Sequence, residues 1–398
     1  MGTTGGKMVK VKQWIRQETV LTISILLAFF SMFMVVPDRE YASYIDVRTL
    51  GILFCLMTAV AGLREAGVFD CLAGAMLDRV KGITGIVLVL VFLCFLLSMA
   101  ITNDVALITF VPLTILILNR MNGSVRNRLL IPCVVLQTIA ANLGSMLTPV
   151  GNPQNLYLYG KSGMSFGAFL ELMLPYTAVS AVLLAGCAVW IGKRAEKTQG
   201  KGNAETRNER VQRVTAAEKE NRQMGERREV LLAWSFLAAV SLCAVLRLIS
   251  FWIPVALVLG YSLIRNPKLL HRVDYSLLGT FAALFIFIGN LGRIPAFSSF
   301  LKQAIEGREV LTAVLASQVM SNVPAAILLS GFTEKTRALI VGTNLGGLGT
   351  LIASMASLIS YKYIAKEKSA KKGSYLLWFT AANVGFLVVL LAAAAMFD

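Results

Sequence analysis

Eleven apolar runs punctuate the chain, at residues 18–36, 47–63, 82–118, 128–160, 174–192, 230–249, 251–264, 275–291, 308–333, 337–361 and 375–397. Their uninterrupted blocks are about 14 to 24 residues long, the length a helix needs to cross a hydrocarbon core of roughly 30 Å. A chain of this kind must satisfy every backbone N–H and C=O within its own helices, because the bilayer core offers no water. Only 15% of the 398 residues are charged, and 56% are Ala, Val, Ile, Leu, Met, Phe, Trp, Tyr or Cys. That composition excludes a soluble enzyme. The expected fold class is an all-α polytopic membrane protein.

Four of the eleven runs are broken by polar or Gly/Pro-rich residues, and the breaks come in matched pairs. Run 82–118 is interrupted at Thr102-Asn103-Asp104, and run 308–333 at Ser321-Asn322-Val323-Pro324. Basic residues lie on both flanks of the first: Arg79 and Lys81 before it, Arg120, Arg126 and Arg128 after it. If both flanks are cytoplasmic, the run enters and returns as a re-entrant hairpin. Counting spans places both flanks of the second hairpin outside, so the two tips point at each other.

The halves also match in order. LREAGVF (63–69) recurs as LGRIPAF (291–297), ITNDVA (101–106) as MSNVPA (320–325), and ANLGSMLTPVGNPQN (141–155) as TNLGGLGTLIASMAS (343–357). The expected organisation is a cytoplasmic N-terminus (1–17), a first transmembrane repeat (18–192) and a polar cytoplasmic linker (193–229). A linking span (230–249) then inverts the second repeat (250–398), whose C-terminus lies outside. Inverted repeats with paired broken helices point to a secondary transporter with its site at the bilayer midplane.

This topology accounts for the net charge of +16. The external segments carry eight basic and eight acidic residues, so the whole excess lies inside, as the positive-inside bias requires. Nucleic acid is not an expected partner. Six single cysteines, without a CxxC pair, read as buried packing residues. His271, in the polar connector NPKLLHRVD, reads as a solvated loop residue, and Arg247 as a side chain snorkelling to the interface.

The breaks define the chemistry. Each hairpin turn frees the N–H groups at the start of the following helix, where the dipole is positive. An anion between the tips would meet those N–H groups, the amides of Asn103 and Asn322, and the hydroxyls of Thr102 and Ser321. Neither break contains Lys or Arg, so neutralisation depends on dipoles and co-bound cations. The loops after the hairpins, around Gly151-Asn152-Pro153 and Ala353-Ser354, would offer carbonyl oxygens to a hard cation such as Na⁺, one site per half. Asp104 is the one acid placed deep in the membrane, where a charge is costly. It is expected to carry protons or ligate a cation, and its position also suits a helix cap. No second titratable group accompanies it in the breaks, so acid–base enzymology lacks a partner group.

These motifs resemble the ion transporter superfamily that includes citrate transporters, divalent anion/sodium symporters, arsenite permeases and sodium/proton antiporters. The resemblance covers nearly the whole chain. It implies an elevator-type carrier, homodimeric through a scaffold, whose moving part holds both hairpins and both broken helices. It implies a substrate site at Thr102, Asn103, Asp104, Asn152, Pro153, Ser321, Asn322, Val323 and Ser354. It also implies Na⁺ ligands at Asn103, Gly151, Asn322 and Ala353. The symporters carry Ser-Asn-Thr at both tips and Gly-Thr-Pro in the first loop, matched here by Gly151-Asn152-Pro153. The Asn-Asp of the first tip and the LGxxxTxIxSxA run of the second loop look more like the arsenite permeases. The expected function is secondary transport of a small anion across the plasma membrane, coupled to Na⁺ or H⁺ and without a resident cofactor. The alternative is arsenite or antimonite efflux, or Na⁺/H⁺ antiport.

Overall fold

A computed structural model describes residues 18–197, 224–367 and 370–397. The expected cytoplasmic N-terminus and the middle of the expected linker lie outside the described residues. Among those described there is no strand, and six helices are long and apolar enough to cross a membrane.

The first half runs α1 (Thr19–Met34), a short α2 (Tyr41–Tyr44), α3 (Val47–Glu65), α4 (Val68–Leu77), α5 (Gly82–Leu97), α6 (Asn103–Asn119), α7 (Gly123–Ser145), α8 (Pro153–Ser162) and α9 (Phe166–Glu196). A linking helix α10 (Met224–Val245) leads to α11 (Trp252–Arg265) and a 3₁₀ turn (Pro267–Arg272). The second half continues with α12 (Tyr275–Gly292), α13 (Pro295–Ile305), α14 (Glu309–Met320), α15 (Asn322–Ser330), α16 (Thr336–Leu345), α17 (Met355–Lys366) and α18 (Lys372–Phe397). Helix α9 runs to Glu196 and α10 begins at Met224, so both described ends of the expected linker are helical. Charged side chains on the last turn of a long helix reach water without ending it.

The order of elements repeats, and so do the signals that start them. Asp46 caps α3 by accepting from Thr49 N at 3.0 Å, and Asp274 caps α12 by accepting from Leu277 N at 2.9 Å. An N-cap of this kind satisfies one of the helix's orphan donors, worth about 1 kcal/mol. The halves then exchange partners: α1 packs on α12 of the second half, and α11 packs on α3 of the first. Trp234 of α10 is buried with Cys55, Ala59, Val258 and Leu269, fastening α10 and α11 to α3.

A second group of helices packs around one buried helix. Its centre is α7, almost wholly buried, with α5, α6, α9 and α18 around it. Gln137 of α7 braces the first helix pair, donating to Leu90 O of α5 (3.0 Å) and to Thr114 Oγ1 of α6 (2.8 Å). In the second half Gln318 of α14 does comparable work, donating to Gly346 O (3.0 Å) and Leu348 O (2.9 Å) while accepting from Thr350 N (2.8 Å).

Several local expectations change. His271 is exposed but belongs to the 3₁₀ turn. Cys55, Cys94 and Cys133 are buried, whereas Cys71 is exposed and Cys187 and Cys243 are half-buried; apolar helices facing lipid leave such side chains outside the protein core. Arg247 does not snorkel freely. Its guanidinium donates to Tyr159 O (2.9 Å) and Gly160 O (3.2 Å), and lies 5.2 Å from the Tyr159 ring centroid. A cation at those late carbonyls of α8 complements the negative end of the helix dipole.

Candidate functional site

The two tips are tighter than the sequence suggested, because the asparagines already belong to helices. Thr102 is the extended N-cap of α6, and Asn103 and Asp104 are its first two residues. In the second half the turn is a single residue: Ser321 ends α14 and starts α15 with φ 76° and ψ 153°. A non-glycine residue there is strained, and such strain clusters at functional positions. Neither Thr102 nor Ser321 uses its side chain to cap the helix it precedes. Asp104 lies inside the first turn and is not the cap.

The tips meet the loops through equivalent bonds. Asn103 N donates to Gly151 O at 3.0 Å, and Asn322 N donates to Ala353 O at 3.0 Å. Gly151 and Ala353 hold the same position in the two loop motifs, so the repeat extends to individual backbone bonds. Asn152 and Ser354, next in each loop, cap α8 and α17 by accepting from Asn155 N and Ala356 N, each at 3.2 Å. Pro153 follows as the first residue of α8, where its missing N–H costs nothing. Four helix starts therefore gather at one place, where only the two tips were expected.

Buried amides cross-link the halves. Asn142 Oδ1 accepts from Asn103 Nδ2 and from Ser354 Oγ, each at 3.0 Å, and Asn142 Nδ2 donates to Gly347 O at 3.3 Å. In return Asn344 of the second half accepts from Asn152 Nδ2 (3.1 Å) and donates to Asn155 Oδ1 (2.6 Å). Each half's loop is thus held by the asparagine of the other. A buried network with its members paired is rigid, since an unpaired amide there costs about 1–3 kcal/mol.

Glycines let the loops approach the tips. A Cβ on Gly144 would lie 2.0 Å from Phe95 O and 2.5 Å from Ser98 Oγ; one on its counterpart Gly346 would lie 2.5 Å from Ser317 Oγ. Ser98 and Ser317 each stand five residues before the tip asparagine. Gly144→Ala is expected to destabilise the protein by about 3 kcal/mol, the upper range for overpacking against backbone. Thermal unfolding in detergent checks this, with Gly186→Ala, where a Cβ meets nothing within 4 Å, as the neutral control.

Two polar groups at the site have no partner. Asp104 Oδ1 is buried without a hydrogen bond, although the backbone N–H of Asp104 donates to Asn103 Oδ1 at 2.9 Å. Gln154, 1% exposed, has neither Oε1 nor Nε2 paired. Among the described residues it is the one buried side chain with both ends of its amide unpaired. Three residues further along α8, Tyr157 Oη meets Ser330 Oγ of α15 at 2.9 Å, and Lys161 bonds Ser330 O. By helical register Gln154 shares that stripe, one turn closer to the tips. The sequence reading passed over Gln154; the signal was a large amide immediately after Asn152-Pro153, in a run that must lie at membrane depth.

A cavity of about 280 Å³ leads to the second tip. Ser321, Val323 and Pro324 line it with Met355 and Lys362 of α17 and with Glu18. Its other lining residues lie at the starts of α1 and α12 and on α17. Glu18 accepts a hydrogen bond from Ser276 Oγ there, joining the starts of α1 and α12.

Comparison with known proteins agrees with this architecture. The family model described as citrate transporter matches residues 13–336. The inner membrane protein YbiR of Escherichia coli is 33% identical over 353 residues, covering 87% of this chain and 86% of that protein. An uncharacterized transporter of Methanocaldococcus jannaschii is 29% identical over 377 residues, covering 95% and 96% respectively. A silicon efflux transporter of Oryza sativa subsp. japonica is 31% identical over 152 residues, 38% of this chain and 29% of that protein. With matched tips, matched loops and a family match across most of its length, the chain is a membrane transporter and belongs to the citrate transporter family.

Proposed function

We propose that the protein is a secondary active transporter that moves a small anion across the cytoplasmic membrane, coupled to Na⁺ or H⁺. The anion is a carboxylate such as citrate, or an inorganic oxyanion. The observation that carries this reading is the pair of helix starts at Asn103 and Asn322, each bonded by its N–H to the carbonyl of a matched loop. Two positive dipole ends and neutral amides suit an anion. The tips and loops contain no lysine or arginine, so a co-bound cation completes the neutralisation. Asn103 with Gly151, and Asn322 with Ala353, supply oxygens for one Na⁺ in each half. Thr102, Asn152, Pro153, Ser321, Val323 and Ser354 line the substrate, with Gln154 added to that set.

In this reading α5–α6 and α14–α15 are re-entrant hairpins in inverted repeats. They travel with α7–α9 and α16–α18 as an elevator against a scaffold of α1, α3 and α10–α12, through which two copies form a homodimer. The cavity between the bodies, with Glu18 and Lys362 at the end assigned to the cytoplasm, makes this the inward-facing state. The N-terminus is cytoplasmic and the C-terminus external. Purified protein in oriented proteoliposomes should accumulate labelled citrate, phosphate or another small anion only under an imposed Na⁺ or H⁺ gradient. Gradient-independent flux, or no flux of any anion by folded protein, rejects the proposal.

A second reading, efflux of arsenite or antimonite or Na⁺/H⁺ antiport, is favoured by the unpaired Asp104 carboxylate. The same vesicles distinguish it: antimonite export or Na⁺-driven proton movement without anion flux replaces the first reading with the second.

A further inference from the structure

The chain leaves α10 through a turn that glycine ordinarily makes. Arg247 N donates to Ala244 O at 3.1 Å and Leu248 N to Cys243 O at 2.9 Å, the paired bonds that close a helix when one residue turns left-handed. Arg247 is that residue, with φ 62°. Glycine is the usual choice because a Cβ crowds the neighbouring carbonyl. Among the described residues only Ser321, at the second tip, shares a positive φ without being glycine. A turn alone asks for no more than glycine, so the arginine at this position is accounted for by what its guanidinium reaches. Nη2 donates to Tyr159 O (2.9 Å) and Gly160 O (3.2 Å), and Cζ lies 5.2 Å from the Tyr159 ring centroid. Arg48 of α3 donates to Ala244 O at 3.1 Å, the carbonyl that already accepts Arg247 N–H. Its Nη1 would stand 3.5 Å from a Cβ built on Gly160. Two arginines, from α3 and from the end of α10, thus meet at the last turns of α8. That helix is ten residues long, about 15 Å, and its start presents Asn152, Pro153 and Gln154 at the site.

We propose that Arg247 is a latch that fastens α8 in the state seen here and must release it for the carrier to face outward. The inference rests on the moving-carrier reading above, in which α8 travels while α3 and α10 stay. Every contact of the guanidinium then runs from a fixed part to a moving one and breaks in each cycle. Bonds from a charged donor to the late carbonyls of a helix are strong enough to bias two states. At a partly exposed helix end they also exchange for water, so the bias is reversible. The latch holds the end of α8 remote from the site, and a helix this short passes the restraint to Asn152 and Gln154 at its start.

The test follows a distance rather than flux, in the full-length protein reconstituted in nanodiscs. p-Acetylphenylalanine replaces Val36, 76% exposed after α1, and Gly167 of α9, where a Cβ meets nothing within 4 Å. Its ketone takes a spin label while the six cysteines stay. Val36 belongs to the fixed part and Gly167 to the moving part of the proposed carrier. Double electron–electron resonance of the wild-type protein is expected to show one dominant separation and a minor one. Arg247→Gly removes the guanidinium and suits the turn, so the melting temperature should stay within about 3 °C while the minor population rises about tenfold or more. Arg247→Asn, which also tolerates the left-handed turn, repeats the measurement if glycine lowers the melting temperature further. A minor population that grows in the wild-type protein on adding Na⁺ with citrate or phosphate, yet is no larger in either variant, overturns the latch alone. One unchanging separation in every sample overturns the latch together with the moving carrier. Failure of both variants to fold makes Arg247 a structural clamp and overturns the latch as well.

Discussion

Gln154→Met is expected to stabilise the protein while reducing transport by about 10- to 100-fold. The stability arm follows from what the side chain lacks. Both ends of its amide are buried and unpaired, a state that costs about 1–3 kcal/mol, and methionine fills similar volume without polar atoms. The transport arm follows from what the amide would otherwise do: one donor and one acceptor given to a ligand contribute about 1–3 kcal/mol to holding it. A thermal melt of the apo protein and initial rates in proteoliposomes separate the two arms. Loss of both stability and transport makes Gln154 a structural residue paired through water. Gain of stability with full transport removes it from the ligand's path.

The contrast between Gln154 and the tip asparagines shows where sequence reading succeeds and where it stops. Apolar runs and their breaks are local signals, so each expected run has its helix or helix pair, and 102–104 and 321–324 fall at the tips. Pairing the two loop motifs placed Gly151 opposite Ala353, and their carbonyls hold equivalent bonds. Local signals also carry local errors. Asn103 and Asn322 are competent helix starters, and the chain closes its turns before them, one residue earlier than a polar tripeptide implies.

What the sequence left hidden is cross-half. Asn142 bonds Ser354 and Gly347, and Asn344 bonds Asn152 and Asn155, at separations near two hundred residues. No periodicity encodes such partners. The same limit explains Arg247, whose partners at Tyr159 and Gly160 lie 88 and 87 residues away, and the cavity beside Ser321, which exists only once α1 and α12 stand beside α15 and α17. An unpaired amide is the extreme case. Gln154 becomes conspicuous only after the pairing of every neighbour is known.

Asp104→Asn is expected to abolish coupled transport and its pH dependence together, leaving the fold intact. Asparagine has the same shape and keeps one hydrogen-bonding oxygen, but it carries no negative charge and cannot exchange a proton. Position makes that loss decisive. Asp104 is the second residue of α6, where the helix dipole favours a negative charge, yet its Oδ1 is buried without a donor. On the function proposed above, a carboxylate held between those opposing demands would exchange a proton as a cation or a substrate arrives beside Asn103. Its neighbours stay in place in the variant, because the surrounding bonds, Asn103 to Asn142 and Asn103 N to Gly151 O, do not involve the carboxylate. Flux measured from pH 5.5 to 8.5 under fixed Na⁺ gives three readable outcomes. Loss of flux at every pH with an unchanged melting temperature assigns Asp104 to coupling. Flux that survives but no longer varies with pH assigns it to proton exchange alone and leaves Na⁺ to the paired carbonyls of Gly151 and Ala353. Flux that keeps its wild-type pH profile removes Asp104 from the mechanism, and the anion is then held by helix starts, amides and bound cations without a titrating group at the tips.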